Sequence, residues 1–376
     1  MSQIKRILFL TGTRADFGKL KALMVALQAS PNFELHVFVT GMHMLAKYGY
    51  TCEEVERVGF SNVYKYINQN AGDGMDQVLA KTVNGLSDYI REVQPNLLIV
   101  HGDRVEALAG AAVGALNNIL TAHIEGGEVS GTIDELIRHA VTKMSHIHFV
   151  ANQAAQRRLI QLGEHENVIH VIGSPDVDVM NSSSLPTLDE VRRHYQIGFP
   201  QYAVLAFHPV TTEVSKLREQ ARIMIHALER SERNYVVIYP NNDLGAEIIL
   251  DEYKRIESNP QFKIFPSMRF EYFLSLLKHA DFMIGNSSAG VREAPHFGVP
   301  AVNLGSRQHN RVMSSLVVNA ALTPDGIDWA IKSAVVLPRK AESLFGDGDS
   351  ARHFLDILSD ESFWNHSKQK HFIDLN

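Results

Sequence analysis

Residues 97–117 read LLIVHGDRVEALAGAAVGALN. Four aliphatic residues in a row, Leu97 to Val100, give way to a polar step, His101-Gly102-Asp103-Arg104, and then to a helix-length segment ending at Asn117. A strand that is apolar at every position is buried on both faces, which is the property of a strand inside a parallel sheet. The alternation extends in both directions. The sequence predicts further strands at 7–11, 34–40, 121–125, 147–151 and 168–172, and helices at 18–29, 75–93, 104–117, 133–143 and 152–162. Elements alternating in this way build right-handed βαβ units.

The pattern pauses at Gly173-Ser174-Pro175 and at Asn181-Ser182-Ser183-Ser184-Leu185-Pro186, which read as a linker. It resumes with strands predicted at 202–207, 235–239, 262–265, 282–285 and 301–304. Helices are predicted near 213–231, 245–257, 269–278, 290–297 and 326–336. The expected fold is α/β: two doubly wound, Rossmann-like domains over residues 1–178 and 179–353, together making the 376-residue chain mostly regular. Two such domains facing each other would bring the carboxyl ends of both sheets around one cleft, the usual ligand position in these folds.

Composition narrows the function. Apolar residues make up 45% and charged residues 21%, as in ordinary globular proteins. The net charge of −6 lacks the basic footprint of a nucleic-acid binder. Cys52 is the single cysteine, which excludes an internal disulfide framework and any cysteine-based zinc or iron–sulfur site, and favours the cytosol. The apolar run in MSQIKRILFL is too short for a signal peptide. No stretch approaches the ~20 apolar residues that span a bilayer, so no membrane role is expected.

The first turn, Gly12-Thr13-Arg14-Ala15-Asp16-Phe17-Gly18-Lys19-Leu20, matches neither G-x-G-x-x-G nor a P-loop. It is a strand–turn–helix with Arg14 and Lys19 at its mouth, suited to an anionic group such as a diphosphate, or else a helix start with solvated charges. Two later strands end alike, in His101-Gly102-Asp103 and in His123-Ile124-Glu125. In each, histidine and acid are two apart and share a face while the strand lasts. Downstream, Asp134 and Arg138 are i, i+4 on a helix, with Thr132 a candidate N-cap, and His208 ends a strand before Pro209. Asp103, Glu125, Asp134 and His208 are therefore candidates for general acid/base chemistry. The alternatives are helix caps or Arg partners for each acid, and a metal site from His101, Asp103, His123 and Glu125, although no HExxH accompanies them. In the second half, Asn286-Ser287-Ser288-Ala289-Gly290 opens a predicted helix, where backbone N–H groups and serine hydroxyls favour phosphate. Glu293 follows about one turn on, placed to accept from ribose hydroxyls. The alternative is a plain serine N-cap.

These blocks together resemble the hydrolysing UDP-N-acetylglucosamine 2-epimerases of bacterial sialic-acid and capsule biosynthesis. The matching segments are GTRADFGKL (12–20), VTGMHM (39–44), HGDRVEALAGA (101–111), HIEGGEVSGTIDELIRH (123–139), GSPDVDVM (173–180), FHPVTTE (207–213), YPNND (239–243), PSMRFEYF (266–273), GNSSAGVREAP (285–295) and GSRQHNR (305–311). Ala15-Asp16 stands where non-hydrolysing 2-epimerases carry Pro-Glu. The resemblance implies a glycosyltransferase-B-type architecture and the reaction of UDP-N-acetylglucosamine with water to N-acetylmannosamine and UDP, without a cofactor such as NAD or a metal ion. It implies that Asp103, Glu125, Asp134 and His208 carry catalysis, with Arg138 nearby. Arg14, Asp16, Lys19, Arg104, Ser287, Ser288, Gly290, Glu293 and Arg307 would hold the substrate and UDP, with Arg269 and Phe270 near the uracil. It further implies a cytoplasmic homodimer and a C-terminal helix, about 354–376, crossing back onto the first domain. Competing expectations are a 2-epimerase for UDP-diacetamido-trideoxyglucose in legionaminic-acid synthesis, and a glycosyltransferase of the same architecture.

Overall fold

A computed structural model describes residues 4–70, 72–130, 132–308, 311 and 314–374. Gly131, His309 and Asn310, within the segments quoted above, lie outside the described residues, as does the end of the tail at Asn376. The chain divides into two compact units. The first comprises Met1–Glu128, Asp134–Asn181 and Phe345–Asn376, and the second Val129–Ile133 and Ser182–Leu344.

The first unit begins with β1 (Lys5–Thr11), α1 (Arg14–Gln28), β2 (Phe33–Val39), α2 (Cys52–Arg57), β3 (Asn62–Lys65) and α3 (Met75–Val93). It continues through β4 (Leu97–His101), α4 (Val105–Leu116), β5 (Leu120–Ile124), α5 (Ile133–Met144), β6 (Ile147–Val150), α6 (Gln153–Gln161), β7 (Ile169–Val171) and α7 (Pro175–Met180). All seven strands are parallel, in the order β3-β2-β1-β4-β5-β6-β7. The order reverses between β1 and β4, so the crevice outside their carboxyl ends is the topological switch point of this sheet. Thr11-Gly12 and His101-Gly102-Asp103 open directly onto it.

The second unit contains α8 (Leu188–Tyr195), β8 (Ala203–Ala206), α9 (Val214–Arg230), β9 (Tyr235–Ile238), α10 (Ala246–Arg255), β10 (Phe262–Phe265) and α11 (Phe270–Lys278). It closes with β11 (Met283–Gly285), α12 (Glu293–His296), β12 (Ala301–Leu304), β13 (Val317–Ala320) and α13 (Pro324–Ala334). Its six parallel strands run β10-β9-β8-β11-β12-β13, with the reversal between β8 and β11. Among the described residues no helix is long and apolar enough to cross a membrane.

Among the differences from the sequence reading, which also passes over α2 and α8, three have local causes. The edge strands β3 and β13 are only partly buried and mix polar with apolar residues, so they lack the all-apolar signal of the central strands. The supposed linker holds α7: Pro175 occupies the first turn, where its missing N–H costs nothing, and Asp176 and Val177 are buried. The helix predicted at 290–297 is a 3-10 turn at Ser288–Gly290 followed by the four-residue α12.

The last helix, α14 (Ser350–Ser359), returns to the first unit. Phe354 is fully buried between Phe9 of β1 and Phe149 of β6, with ring centroids 6.3 and 4.9 Å away. Beyond it, Lys370 Nζ donates to Glu164 Oε2 at 2.6 Å and to the Ser145 carbonyl at 2.6 Å, tying the tail to the end of α5. Lys143 Nζ also donates to Glu164, at 2.7 Å, and His148 Nε2 lies 2.9 Å from it. Burial pushes the Glu164 carboxyl up, but hydrogen bonds from His148, Lys143 and Lys370 outweigh it and hold the group down at about 2.

Phe354→Ala is expected to destabilise the first unit by about 3–5 kcal/mol, read as a lowered denaturant midpoint, because a full aromatic side chain leaves a closed core. Glu164 has a folded pKa below its ordinary 4.5, so its contribution is present above that value and lost as pH falls toward 2. Unfolding titrations of Glu164→Gln should show lower stability at neutral pH, by on the order of 2–3 kcal/mol, and a flatter acid limb than the parent.

Candidate active site

Parallel strands deliver their side chains to the carboxyl edge of the sheet, and there the first unit gathers its charged groups. Asp103 stands in the turn after β4. Its carboxylate is ion-paired with Arg138 of α5, whose side chain is buried. The second Arg138 terminal nitrogen, Nη1, donates to the Glu128 carbonyl at 3.3 Å. Asp134 lies in the first turn of the same helix, one turn before Arg138.

Glu125 directly follows β5 and is 8% exposed. Its φ of 64° lies in the left-handed region, at a cost of roughly 1–3 kcal/mol for a residue with a side chain. Ser174, Lys19 and His101 are among the groups around its carboxylate. Ser174 Oγ donates to Oε1 at 2.6 Å, Lys19 Nζ lies 3.9 Å from the same oxygen, and His101 Nε2 lies 3.2 Å from Oε2. Lys19 is itself buried, 3.2 Å from Asp176 Oδ2. Its ammonium thus faces two carboxylates of its own chain.

His123 joins these two acids. Its Nε2 lies 2.8 Å from the Gly102 carbonyl, which can only accept, so this nitrogen carries the proton. Nδ1 then accepts from the Thr142 hydroxyl at 3.0 Å. Burial lowers its pKa to about 3, and the ring is neutral at physiological pH. A single neutral imidazole therefore ties β5 to the turn bearing Asp103 and to the helix bearing Arg138. With both ring nitrogens committed, His123 is not presented as a metal ligand. Among the described residues no three His, Cys, Asp or Glu side chains group as a metal site.

The first turn is internally occupied. Thr13 caps α1 and accepts from the Asp16 amide at 3.2 Å, while Asp16 accepts from the Gly12 and Thr13 amides, at 3.0 and 3.2 Å, and from the Thr11 hydroxyl. This capping box gives Asp16 a structural task. Arg14 Nη2 is 2.5 Å from Glu54 of α2, and Arg104 Nε is 3.4 Å from Glu106.

In the second unit the switch point is built from amides and hydroxyls. Gly285 ends β11 with φ of 132°, and a Cβ there would collide with the Ala206 carbonyl. The close approach lets Asn286 reach across to β8, where Oδ1 accepts from the His208 amide at 2.7 Å and Nδ2 donates to the His208 carbonyl at 2.8 Å. His208 Nδ1 accepts from the Asn241 amide at 3.0 Å, which leaves the ring proton on Nε2. Gln308 Nε2 and Arg307 Nη1 both donate to the Asn286 carbonyl, at 2.8 and 3.4 Å. Ser287 caps the turn by accepting from the Ala289 amide at 3.3 Å, Ser288 and Gly290 bound the 3-10 turn, and Glu293 is buried at the start of α12. Phe270 is also buried, while the Arg269 guanidinium stacks 5.7 Å above the Tyr272 ring.

Ser174, Asp176 and Asn286 are not singled out by the local sequence pattern. Ser174 and Asp176 lie in the supposed linker, and their signal is the segment GSPDVDVM at 173–180, which matches the family as a block. His101, a candidate metal ligand by residue type, stands beside Glu125.

Comparison with known proteins places this arrangement in context. Residues 25–359 match the family described as UDP-N-acetylglucosamine 2-epimerase. The chain is 50% identical to a UDP-N-acetylglucosamine 2-epimerase of Neisseria meningitidis serogroup B, over 99% of this chain and 100% of that protein. It is 33% identical to the UDP-N,N'-diacetylbacillosamine 2-epimerase (hydrolyzing) of Legionella pneumophila, over 94% of this chain and 96% of that protein. The fold is that of the crystallised Methanocaldococcus jannaschii UDP-GlcNAc 2-epimerase in complex with UDP-GlcNAc and UDP, with a TM-score of 0.79 and 21% identity over 94% of this chain and 99% of that one. With the family match spanning most of its length and a half-identical relative along all of it, the chain belongs to the UDP-N-acetylglucosamine 2-epimerase family and is an enzyme of that kind.

Proposed function

We propose that this enzyme is a hydrolysing 2-epimerase, converting UDP-N-acetylglucosamine and water to N-acetylmannosamine and UDP. The observation that carries the reading is the pair of carboxylates at the ends of neighbouring strands β4 and β5, one ion-paired with Arg138 and the other held among Lys19, Ser174 and His101. Two carboxylates in different surroundings suit opposite acid/base roles.

The chemistry requires such a pair. No carbonyl adjoins C2 of the sugar to acidify its hydrogen. As the bond from C1 to the diphosphate oxygen breaks, positive charge builds at C1 and the C2 proton becomes labile. One carboxylate takes that proton, the electron pair forms the C1–C2 double bond of 2-acetamidoglucal, and UDP departs with the bonding electrons. Water then adds its oxygen to C1 and passes a proton to solvent, while a second, protonated carboxyl delivers a proton to C2 from the opposite face; the first carboxyl then loses its proton to solvent and the second regains one before the next turnover. Atoms and charge balance, and no electrons are exchanged with a redox partner. Asp103 and Glu125 serve as the principal pair, with Asp134 and His208 completing the acid/base set. Arg14, Lys19, Ser287, Ser288, Glu293 and Arg307 are assigned to the substrate and its departing UDP, and the enzyme to a homodimer, on the resemblance of their segments.

Hydrolysis rather than return of UDP is supported by Ala15-Asp16 in the first turn and by the relative whose own name carries the word hydrolyzing. Supplying free N-acetylmannosamine would place the enzyme first in sialic-acid synthesis. The deciding experiment is NMR of UDP-N-acetylglucosamine incubated with the enzyme in D₂O and in ¹⁸O-water. Deuterium at C2 and ¹⁸O at C1 of released N-acetylmannosamine, with unlabelled UDP, is expected. UDP-N-acetylmannosamine as the end product would assign the non-hydrolysing reaction, and N-acetylglucosamine with its C2 hydrogen intact would assign a glycosyltransferase running on water. Turnover much faster on the corresponding UDP-diacetamido-trideoxyglucose would move the substrate to that sugar.

Asp103→Asn and Glu125→Gln should each lower kcat about 10²–10⁴-fold while leaving the calorimetric affinity for UDP near its parent value. Ser288→Ala should do the reverse, weakening UDP binding by about 1–3 kcal/mol if its hydroxyl meets the charged diphosphate. Unchanged UDP affinity in that variant would remove Ser288 from the assignment.

A further inference from the structure

The reaction scheme leaves Ser174 unused, although its hydroxyl makes a short contact to a carboxylate assigned to the chemistry. Ser174 is fully buried at the N-cap of α7, 49 residues beyond Glu125 in sequence. A carboxylate only accepts hydrogen bonds when ionised, so a serine hydroxyl donating to it favours the charged form and selects one orientation of the group. The orientation matters here because Glu125 has a left-handed backbone, which directs its side chain away from the path the strand would give it. Ser174 and Lys19 approach Oε1, and His101 approaches Oε2. The two oxygens are therefore in different surroundings.

What holds Ser174 is equally specific. Its backbone amide donates at 2.7 Å to the carbonyl of Phe345, the residue at which the chain re-enters the first unit. Gly346 follows with φ of 113°, and a Cβ there would lie 2.8 Å from the Gly173 Cα. Contact continues at the start of α14. The Ser350 amide and hydroxyl donate to Asp178 Oδ1 at 3.0 and 2.6 Å, and the Ala351 amide donates to Oδ2 at 2.8 Å. The returning segment thus grips α7 at its cap and within its body. One face of Ser174 is fixed by that segment and the other is bonded to Glu125.

We propose that Ser174 is a positioning residue for Glu125, keeping its carboxylate ionised and oriented for proton transfer, and that the returning segment 345–351 sets the place from which it acts. The inference rests on the assignment of Glu125 to acid/base chemistry. It adds a residue that touches no reacting atom, and it gives the re-entry of the chain into the first unit a bearing on catalysis as well as on the core.

The test compares Ser174→Ala, Ser174→Cys and Gly346→Ala with the parent enzyme and Glu125→Gln. The measurements are kcat/KM for UDP-N-acetylglucosamine across pH, C2 exchange in D₂O, UDP affinity by calorimetry, and thermal unfolding. Ser174→Ala is expected to lower kcat/KM about 10-fold or more, and to move its acidic limb up by about one pH unit, since a hydrogen bond to an ionised group is lost. C2 exchange should fall in parallel while UDP affinity stays within about twofold. Ser174→Cys, a weaker donor of similar shape, should fall between. Gly346→Ala, which displaces the Phe345 carbonyl through its clash with Gly173, should move the same limb in the same direction. An acidic limb unchanged in Ser174→Ala overturns the proposal, whether activity is retained or falls together with the melting temperature. An unchanged limb in a folded Gly346→Ala overturns the part that concerns the returning segment. Glu125→Gln separates the two levels: if it turns over normally the assignment of Glu125 fails, and if it is inactive while Ser174→Ala keeps the parent profile, only the role of Ser174 fails.

Discussion

A carboxylate taken out of water loses several kcal/mol of solvation, and it stays ionised there only if cations and hydrogen-bond donors replace the water. Glu125 is buried among such groups, and much of the first unit is arranged around it. Lys19 comes from α1, His101 from the end of β4 and Ser174 from the cap of α7. None of these positions can be set without the others. The β4–β5 register brings His101 beside Ile124, the residue before the acid. The ion pair of Lys19 with Asp176 joins α1 to α7. The backbone strain at Glu125 is sustained because so many neighbours determine its place. A buried ion group of this kind adds little net stability, so its retention is better understood through what an oriented, desolvated carboxylate can do.

The second acid is placed by different means. Asp103 faces the buried Arg138 guanidinium and keeps a side chain about one quarter exposed. Its turn is braced from behind by the neutral His123, which bonds Gly102 on one side and Thr142 on the other. Thr142 and Arg138 are one turn apart on α5, so the helix that supplies the counter-ion also supports the brace. The lock of Lys370 and Lys143 on Glu164 secures the far end of that helix. Charge pairing, neutral imidazole and helix end form one connected support.

The second unit follows another plan. Its switch point is clasped by Asn286, whose side chain pairs both backbone groups of His208, and by donors from Arg307 and Gln308 to the Asn286 carbonyl. It presents amides, serine hydroxyls and a histidine whose Nδ1 accepts from the Asn241 amide. Peptide dipoles and hydroxyls suit an oxygen-rich anion, whereas the first unit's opposed carboxylates suit proton movement. The acidic net charge of the chain is compatible with binding an anionic nucleotide sugar because the relevant field is local.

The parallel α/β fold was legible in the sequence because burial on both faces demands runs such as Leu97–Val100, and a run is a local property. The nine central strands, β1, β2, β4 to β6, β8, β9, β11 and β12, followed from such runs, if not to their last residue, and the edge strands β7 and β10 were found with them. The half-exposed β3 and β13 escaped because an edge strand carries a mixed pattern, and α7 escaped because Pro175 marks a helix start and a break equally well. Asp103 and Glu125 were legible as acids at strand ends, since strand position and residue type are both local. The sequence by itself thus determined the architecture and where reactive groups emerge from it. Tertiary structure alone decided their partners: that Lys19 lies beside Glu125 and Asp176, that Asp16 is consumed by its own turn, and that Ser174 links the carboxylate to a segment 171 residues further on. Such pairings join residues far apart in the chain, and packing of whole elements, which no short window of sequence records, brings them within hydrogen-bond distance.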